Sequence, residues 1–111
     1  MFGFSLKDKA KKILENDIGV SFPTQSWLNS IVKQGKPQGY NEYDVVIWYL
    51  ITDWEFEIDN AIRTGDSKEY WYQEIHSQRE KLHKIEHLAH QDTNFLDKIN
   101  QIIKKSKELK K

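Results

Sequence analysis

A run of seven consecutive apolar and aromatic residues, VVIWYLI at positions 45–51, constrains the fold more than any other feature of the sequence. A helix that contains this run has no polar face in its first half, so other elements must surround it. Asn41 followed by Asp44 predicts where the helix begins, and Gly65 predicts where it ends. The sequence therefore predicts a central, largely apolar helix over about residues 41–63.

The same run also fits a buried β-strand, because β-branched and aromatic residues favour strands. We reject the strand because the sequence contains no second strand-like run to pair with it. On a helical wheel of 100° per residue, one stripe of this segment is continuously apolar. The residues of this predicted core stripe are Tyr43, Ile47, Leu50, Ile51, Trp54, Ile58 and Ala61.

The N-terminal segment predicts an amphipathic helix over residues 5–18. Ser5 has the character of an N-cap, with Asp8 at the third helical position. Apolar residues follow at helical spacing, and lysines cover most of the opposite face. Gly19 predicts the end of this helix.

A second, shorter helix is predicted after a break at residues 20–23. Thr24 or Ser26 is the candidate N-cap, and the helix is expected to end near Gly35. Residues 35–39, GKPQG, form the most loop-like stretch of the chain. Too few residues precede this stretch to build a separate core, so we do not expect a domain boundary there.

Two further helices are predicted in the C-terminal half. The first spans residues 67–90, with Asp66 and Glu69 as its cap signal and inner positions at Trp71, Ile75, Leu82, Ile85 and Ala89. Asp92 or Thr93 caps the last helix, with inner positions at Phe95, Ile99, Ile102, Ser106 and Leu109. We therefore expect an all-α fold, a compact bundle of four to five helices in a single domain spanning 1–111, with residues 104–111 as a frayed, lysine-rich end.

Composition excludes several classes of function. The chain has no Cys, which excludes disulfides, thiolate metal ligands and a Cys nucleophile. No apolar run approaches the roughly 18 residues of a membrane span, and residues 1–4 do not start a signal peptide. We expect a soluble, cytoplasmic protein without a membrane role. No catalytic or nucleotide-binding motif is present, so we expect neither an enzyme nor a cofactor.

Charge is balanced over the whole chain but not locally. Residues 40–80 contain ten acidic and three basic residues, a net charge of −7. Four of these acids alternate along the second half of the central helix, at Asp53, Glu55, Glu57 and Asp59. An acidic surface that carries aromatic residues is suited to bind a basic protein partner. We predict these four acids as a partner-binding face.

Two aromatic residues are predicted to contribute to that interface. The central helix holds more aromatic side chains than one core stripe can bury, so Trp48 or Phe56 should be at least partly exposed. Tyr72 belongs to the triplet at residues 70–72 and points away from the predicted inner face of its helix. We therefore predict Trp48 and Tyr72 as partner contacts.

Four histidines, at positions 76, 83, 87 and 90, share one stripe of the predicted fourth helix. His83 and His87 have the i, i+4 spacing that places two imidazoles on one cation. The stripe lies roughly 150° from the apolar stripe of that helix, so it should face solvent. We treat both histidines as weak metal-site candidates and expect no native metal.

Nucleic-acid binding is not expected. The sequence pI of about 6.9 falls well short of a basic footprint, although lysines are concentrated at both ends of the chain. In the lysine-rich C-terminal segment, the side chains complement the negative end of the helix dipole.

The function that the sequence favours is a small protein-binding module. An inhibitor or immunity-type protein that masks a basic partner, such as a nuclease toxin, has this size, fold class and charge; this is an analogy and not a shared motif. A phage-encoded inhibitor of host defence fits equally well. One alternative is a metal-binding helical protein that uses the histidine stripe, and another is a homodimer with surplus aromatics at its seam.

Overall fold

The computed structural model describes residues 5–65, 68–89 and 94–107, without the side chains of residues 68–72, 74–76, 78, 94–96 and 106. Every regular element in these ranges is helical and none is a strand, which confirms the all-α prediction. The helices are α1 (Leu6–Ile13), α2 (Gln25–Gly35), α3 (Glu42–Thr64), α4 (Lys68–Ile85) and α5 (Asn94–Ser106).

Helix α1 begins as predicted, because the Ser5 hydroxyl accepts a hydrogen bond from the Asp8 backbone N–H at 3.1 Å. Its last turn widens into a π-helical segment, Leu14–Ile18. The Leu14 carbonyl accepts hydrogen bonds from the N–H groups of both Gly19 and Val20, which enlarges this turn. Gly19 ends the helix with φ of 87°, a conformation that favours glycine. The predicted extent, residues 5–18, is confirmed.

Helix α2 begins after Thr24, but the Thr24 side chain forms no capping hydrogen bond. The helix ends at Gly35 as predicted, and the loop-like stretch at residues 35–39 contains a single 3₁₀ turn, Lys36–Gln38, that ends at Gly39 with φ of 79°. The Tyr40 backbone N–H donates to the Gly35 carbonyl at 3.1 Å and folds the chain back here. The Tyr40 ring then lies against Gly35, so closely that a Cβ at residue 35 would be 2.1 Å from Tyr40 Cδ2.

Helix α3 has the predicted cap at each end. Asn41 Oδ1 accepts from the Asp44 N–H at 2.9 Å, and Asp44 Oδ2 accepts from the Asn41 N–H at 2.8 Å. This reciprocal pair satisfies two backbone donors that a helix start otherwise leaves open. Gly65 ends the helix with φ of 75°.

The centre of the fold is α3, which contacts α1, α2, α4 and α5. The predicted core stripe is confirmed except at Tyr43, which is only partly buried. Val45 and Val46 are also fully buried, as expected for a helix that is apolar on all sides. The buried residues from the other helices join the same cluster: Ala10, Leu14, Leu28, Val32, Leu82, Ile85, Ile99 and Ile102.

Helix α4 ends earlier than predicted. Its last α-helical residue is Ile85, and a 3₁₀ turn, Glu86–Leu88, follows in place of a helix that continues to residue 90. The Asn41 side-chain amide donates to the Leu88 carbonyl at 3.0 Å and ties this turn to the start of α3. This hydrogen bond joins residues that are 47 positions apart in the sequence.

Some of the predicted positions lie outside the described part of the chain. They are the cap signals at residues 66, 69, 92 and 93, the inner side chains of Trp71, Ile75, Phe95, Ser106 and Leu109, and the chain end at residues 108–111. Within the described residues, Ala89 is partly buried, and no helix is long and apolar enough to cross a membrane.

Candidate functional site

The four predicted acidic residues separate into two flanks of α3. Glu55 and Asp59 are four residues apart and share one flank, whereas Asp53 and Glu57 share the other. Glu57 and Asp59 are exposed, and Asp53 and Glu55 are half-buried. This division follows from helical spacing alone.

Lysines of α5 pair with the Glu55 and Asp59 flank. Lys98 Nζ lies 2.9 Å from Glu55 Oε2, and Lys105 forms a salt bridge with Asp59. The negative charge of this flank is therefore partly offset within the molecule itself. Residues 104–106 belong to α5, so this part of the predicted frayed end is an ordered helical turn with a defined contact.

The two remaining acids of α3 lie at its N-terminus. Asp44 is 2% exposed and its carboxylate belongs to the capping box. Glu42 lines an open depression together with Lys9 and Lys12 of α1. The acids of α3 therefore have different surroundings, because α1 and α5 bring lysines beside some of them and the cap buries another.

Phe56 is the exposed aromatic residue of α3. Its side chain is 51% exposed, while Trp48 is half-buried. Phe56 lies three residues from both Asp53 and Asp59, the spacing that makes side chains neighbours on a helix surface. The sequence left Trp48 and Phe56 as alternatives, and the structure places Phe56 at the surface between the two acidic flanks.

Trp27 of α2 connects Phe56 to the core. Its ring centroid lies 5.7 Å from that of Phe56, edge to face, and 5.6 Å from that of Tyr49. These distances are typical of favourable aromatic pairs. The sequence predicts a short helix here, but nothing in the spacing of its residues shows which helix will lie beside Trp27.

A cleft of about 190 Å³ opens between α2 and α3 next to this aromatic pair. Trp48 and Thr52 form its α3 side, and with Phe56 they repeat every four residues along one line of that helix. The α2 side and the end of the cleft are formed by Trp27, Ser30, Ile31, Gln34 and Tyr40. Trp48 thus lines a recess in the surface and does not project from it.

Phe22 is a surface residue that the sequence analysis did not single out. It lies in the segment between α1 and α2, its side chain is 93% exposed, and its φ is 54°. A left-handed backbone is uncommon for an aromatic residue. The signal available in the sequence was an aromatic residue within a break, but the Pro that follows it predicts an extended backbone, not a left-handed one.

The histidine candidates are exposed. His83 Nδ1 lies 2.9 Å from Glu86 Oε1, and the His83 side chain is 62% exposed. His87 is also exposed and belongs to the 3₁₀ turn after α4, so the two histidines do not share one α-helical face. Within the described residues, no three His, Asp or Glu side chains are grouped to hold a metal.

The remaining candidate residues and the depression between α4 and α5 add little to the candidate site. The side chains of Tyr72, His76 and His90 lie outside those that the structure describes. A depression of about 110 Å³ between α4 and α5 is lined in part by Arg79, His83, Glu86 and Asn100. The His83 imidazole at this depression is exposed to solvent.

The described surface therefore combines an exposed aromatic residue between two acidic flanks, an aromatic cleft beside it and a projecting Phe22. In comparisons with known proteins, no protein-family model, curated protein or solved structure matches the chain.

Proposed function

We propose that this protein binds a basic protein partner through the C-terminal half of α3. The observation that carries the proposal is Phe56, a large apolar side chain that is 51% exposed within a run of acidic residues. Isolated apolar residues are common on surfaces, but Phe56 also packs edge to face against Trp27 and adjoins an aromatic cleft. A central aromatic with a charged rim has the anatomy of a protein-binding hot spot.

The charged rim favours a basic partner. Asp53 and Asp59 are the neighbours of Phe56 along the helix, and Glu55 lies next to it in sequence. Complementary charges accelerate encounter and set the orientation of a complex, while a buried central aromatic limits dissociation. The two kinds of residue therefore have separable roles in binding.

The ion pairs to α5 are compatible with this role. Both partners of the Glu55–Lys98 pair are 34% exposed, and the Asp59–Lys105 pair is more exposed still. Pairs this exposed contribute only about 0–1 kcal/mol to stability. A basic group of a partner can therefore replace Lys98 or Lys105 at little cost in free energy.

An inhibitor or immunity-type role is the biological function that this binding mode suits best. Masking a basic target, such as a nuclease toxin, requires an acidic surface and no catalytic machinery of its own. A phage-encoded inhibitor of host defence is the same kind of molecule. This part of the proposal rests on size, helical fold class and charge, which are analogies.

The test begins with a photo-crosslinking phenylalanine analogue at position 56, and at the exposed Glu15 of the π-helical segment as the control site. Both proteins are irradiated in lysate of the source cell. We expect position 56 to capture a basic protein that position 15 does not capture. The captured protein is then purified, and its affinity for the wild-type chain is measured by calorimetry.

Matched variants complete the test. Phe56→Ala should weaken binding of the purified partner by about tenfold or more, as expected for an interface anchor. Leu88→Ala is the control, since Leu88 is a similarly exposed apolar residue, at 43%, in the turn after α4. If no protein is captured specifically at position 56, or if Phe56→Ala binds as tightly as wild type, the proposal is wrong.

A further inference from the structure

Phe22 is the most exposed large hydrophobic side chain in the described part of the molecule, at 93%. It is also the one non-glycine residue described with a positive φ, at 54°. An aromatic ring in water contributes no burial to the fold, and a left-handed backbone is unfavourable for any residue with a Cβ. Neither property stabilises the isolated protein.

Hydrogen bonds hold the chain on both sides of Phe22. Before it, the Val20 N–H donates to the Leu14 carbonyl at 2.7 Å. After it, the Thr24 N–H donates to the Tyr49 hydroxyl oxygen at 2.8 Å. Pro23, which lies between Phe22 and Thr24, is buried. Ser21 and Phe22 are therefore the exposed tip of a segment whose two ends are attached to α1 and α3.

This arrangement presents Phe22 in a defined position before any partner arrives. Ordering a flexible loop during binding costs free energy, and a loop that is already ordered avoids that cost. Strained backbone that persists in a folded protein is often associated with a binding role. An exposed aromatic on such a backbone therefore has the properties of a preorganised binding anchor.

The segment is attached close to the surface around Phe56. Tyr49, which holds Thr24, packs against Trp27, and Trp27 packs against Phe56. Tyr49 and Phe56 are seven residues apart on α3, a rise of about 10 Å along the helix. A standard interface buries about 800 Å² on each partner, which is wide enough to include both sites.

We propose that Phe22 is a second anchor of the same interface, and that it inserts into an apolar pocket on a basic protein partner. The inference rests on the proposed function of the Phe56 surface. Asp53 lies one helical turn after Tyr49, on the stretch of α3 between the residue that holds Thr24 and Phe56. The matching pocket on the partner is therefore apolar at its centre and basic at its rim.

The first experiment measures the backbone strain at Phe22 in the isolated protein. Phe22→Gly removes the Cβ that makes a positive φ unfavourable, whereas Phe22→Ala keeps it. The folded-to-unfolded ratio, measured by urea denaturation, should be about threefold higher for Phe22→Gly than for Phe22→Ala, the reverse of the usual order of these residues. If Phe22→Ala is the more stable variant, the backbone is not held under strain and the inference is wrong.

The second experiment measures binding. The photo-crosslinking phenylalanine analogue is placed at position 22 or 56 in otherwise identical full-length chains. We expect both positions to capture the same basic protein. For that purified protein, Phe22→Ala and Phe22→Gly should each weaken affinity about thirty-fold, because both lack the ring.

The outcomes separate the inference from the function on which it rests. Capture from position 56 alone, or unchanged affinity in both Phe22 variants, overturns the second anchor and leaves the Phe56 interface intact. Capture of a different protein, or of a second copy of this chain, from position 22 also overturns it. Specific capture from neither position overturns the inference and the proposed function together.

Discussion

The Thr24 backbone N–H donates a hydrogen bond to the Tyr49 hydroxyl oxygen at 2.8 Å, which joins the start of α2 to the middle of α3. The bond pairs the backbone N–H of the residue that precedes the first turn of α2. Tyr49 is 3% exposed, so its hydroxyl needs a partner inside the protein. A single phenol group therefore supports the segment that carries Phe22.

Tyr49→Phe removes this bond and keeps the ring. We expect a loss of about 0.5–1.5 kcal/mol in the free energy of unfolding, the usual net contribution of one intramolecular hydrogen bond. The measurement is urea denaturation followed by tryptophan fluorescence. Tyr43→Phe is the control and should change stability by less than about 0.5 kcal/mol, since Tyr43 is only partly buried. Equal effects of both variants would show that the hydroxyl of Tyr49 has no special role.

Gly35→Ala should destabilise the protein through a direct clash. The added Cβ would lie 2.1 Å from Cδ2 of the Tyr40 ring, so the ring must move. We expect a cost of about 1–3 kcal/mol, the usual cost of overpacking. In a Tyr40→Ala background the same substitution should cost much less, because the clashing ring is gone. A thermal denaturation series over the four proteins measures this coupling, and additive effects would contradict the explanation.

Ile58→Ala tests the centre of the core. Ile58 is fully buried in α3, and its truncation should cost about 2–5 kcal/mol in the free energy of unfolding. Trp54→Phe is predicted to cost less, because the buried Trp54 indole N–H has no hydrogen-bond partner among the described residues and Phe removes that donor. Chemical denaturation of both variants gives the comparison. If Ile58→Ala leaves the free energy of unfolding almost unchanged, Ile58 does not face the core, and the rotation of α3 about its own axis differs from the one described.

Substitutions at Glu55 and Asp59, and at the lysines of α5 that pair with them, change the negative charge around Phe56 in opposite directions. Glu55→Lys with Asp59→Lys should slow association with a basic partner and flatten its salt dependence. Lys98→Gln with Lys105→Gln leaves both carboxylates without their lysines, so it should accelerate association. Stopped-flow measurements at two salt concentrations separate the effects. If neither pair changes the association rate, the acids of α3 are only a hydrated surface.

Metal binding at His83 should be weak. Its imidazole is 62% exposed and pairs with Glu86, and His87 lies beyond the end of α4. Titration calorimetry with zinc and with nickel on tag-free protein should therefore find affinities weaker than micromolar. A tighter site that disappears in His83→Ala, but not in a Lys81→Ala control, would contradict this prediction and favour a metal-dependent function.

The candidate surface was only partly predictable. The two flanks of the acidic run follow from helical spacing, and the surplus of aromatics correctly implied an exposed residue in α3. Trp27 beside Phe56 was not predictable, because it depends on how α2 packs on α3. Nor were the lysine partners of Glu55 and Asp59, which come from a helix about forty residues further along the chain.

The sequence by itself determined the helices and most of their ends. The caps at Ser5 and Asn41 and the glycine stops at Gly19 and Gly65 act within a few residues, so the same interactions are available before the chain folds. Only the tertiary structure decided that α4 ends at Ile85 and that Phe22 takes a left-handed backbone. The Asn41–Leu88 and Thr24–Tyr49 hydrogen bonds join distant segments, and they form only after packing around α3 has brought those segments together.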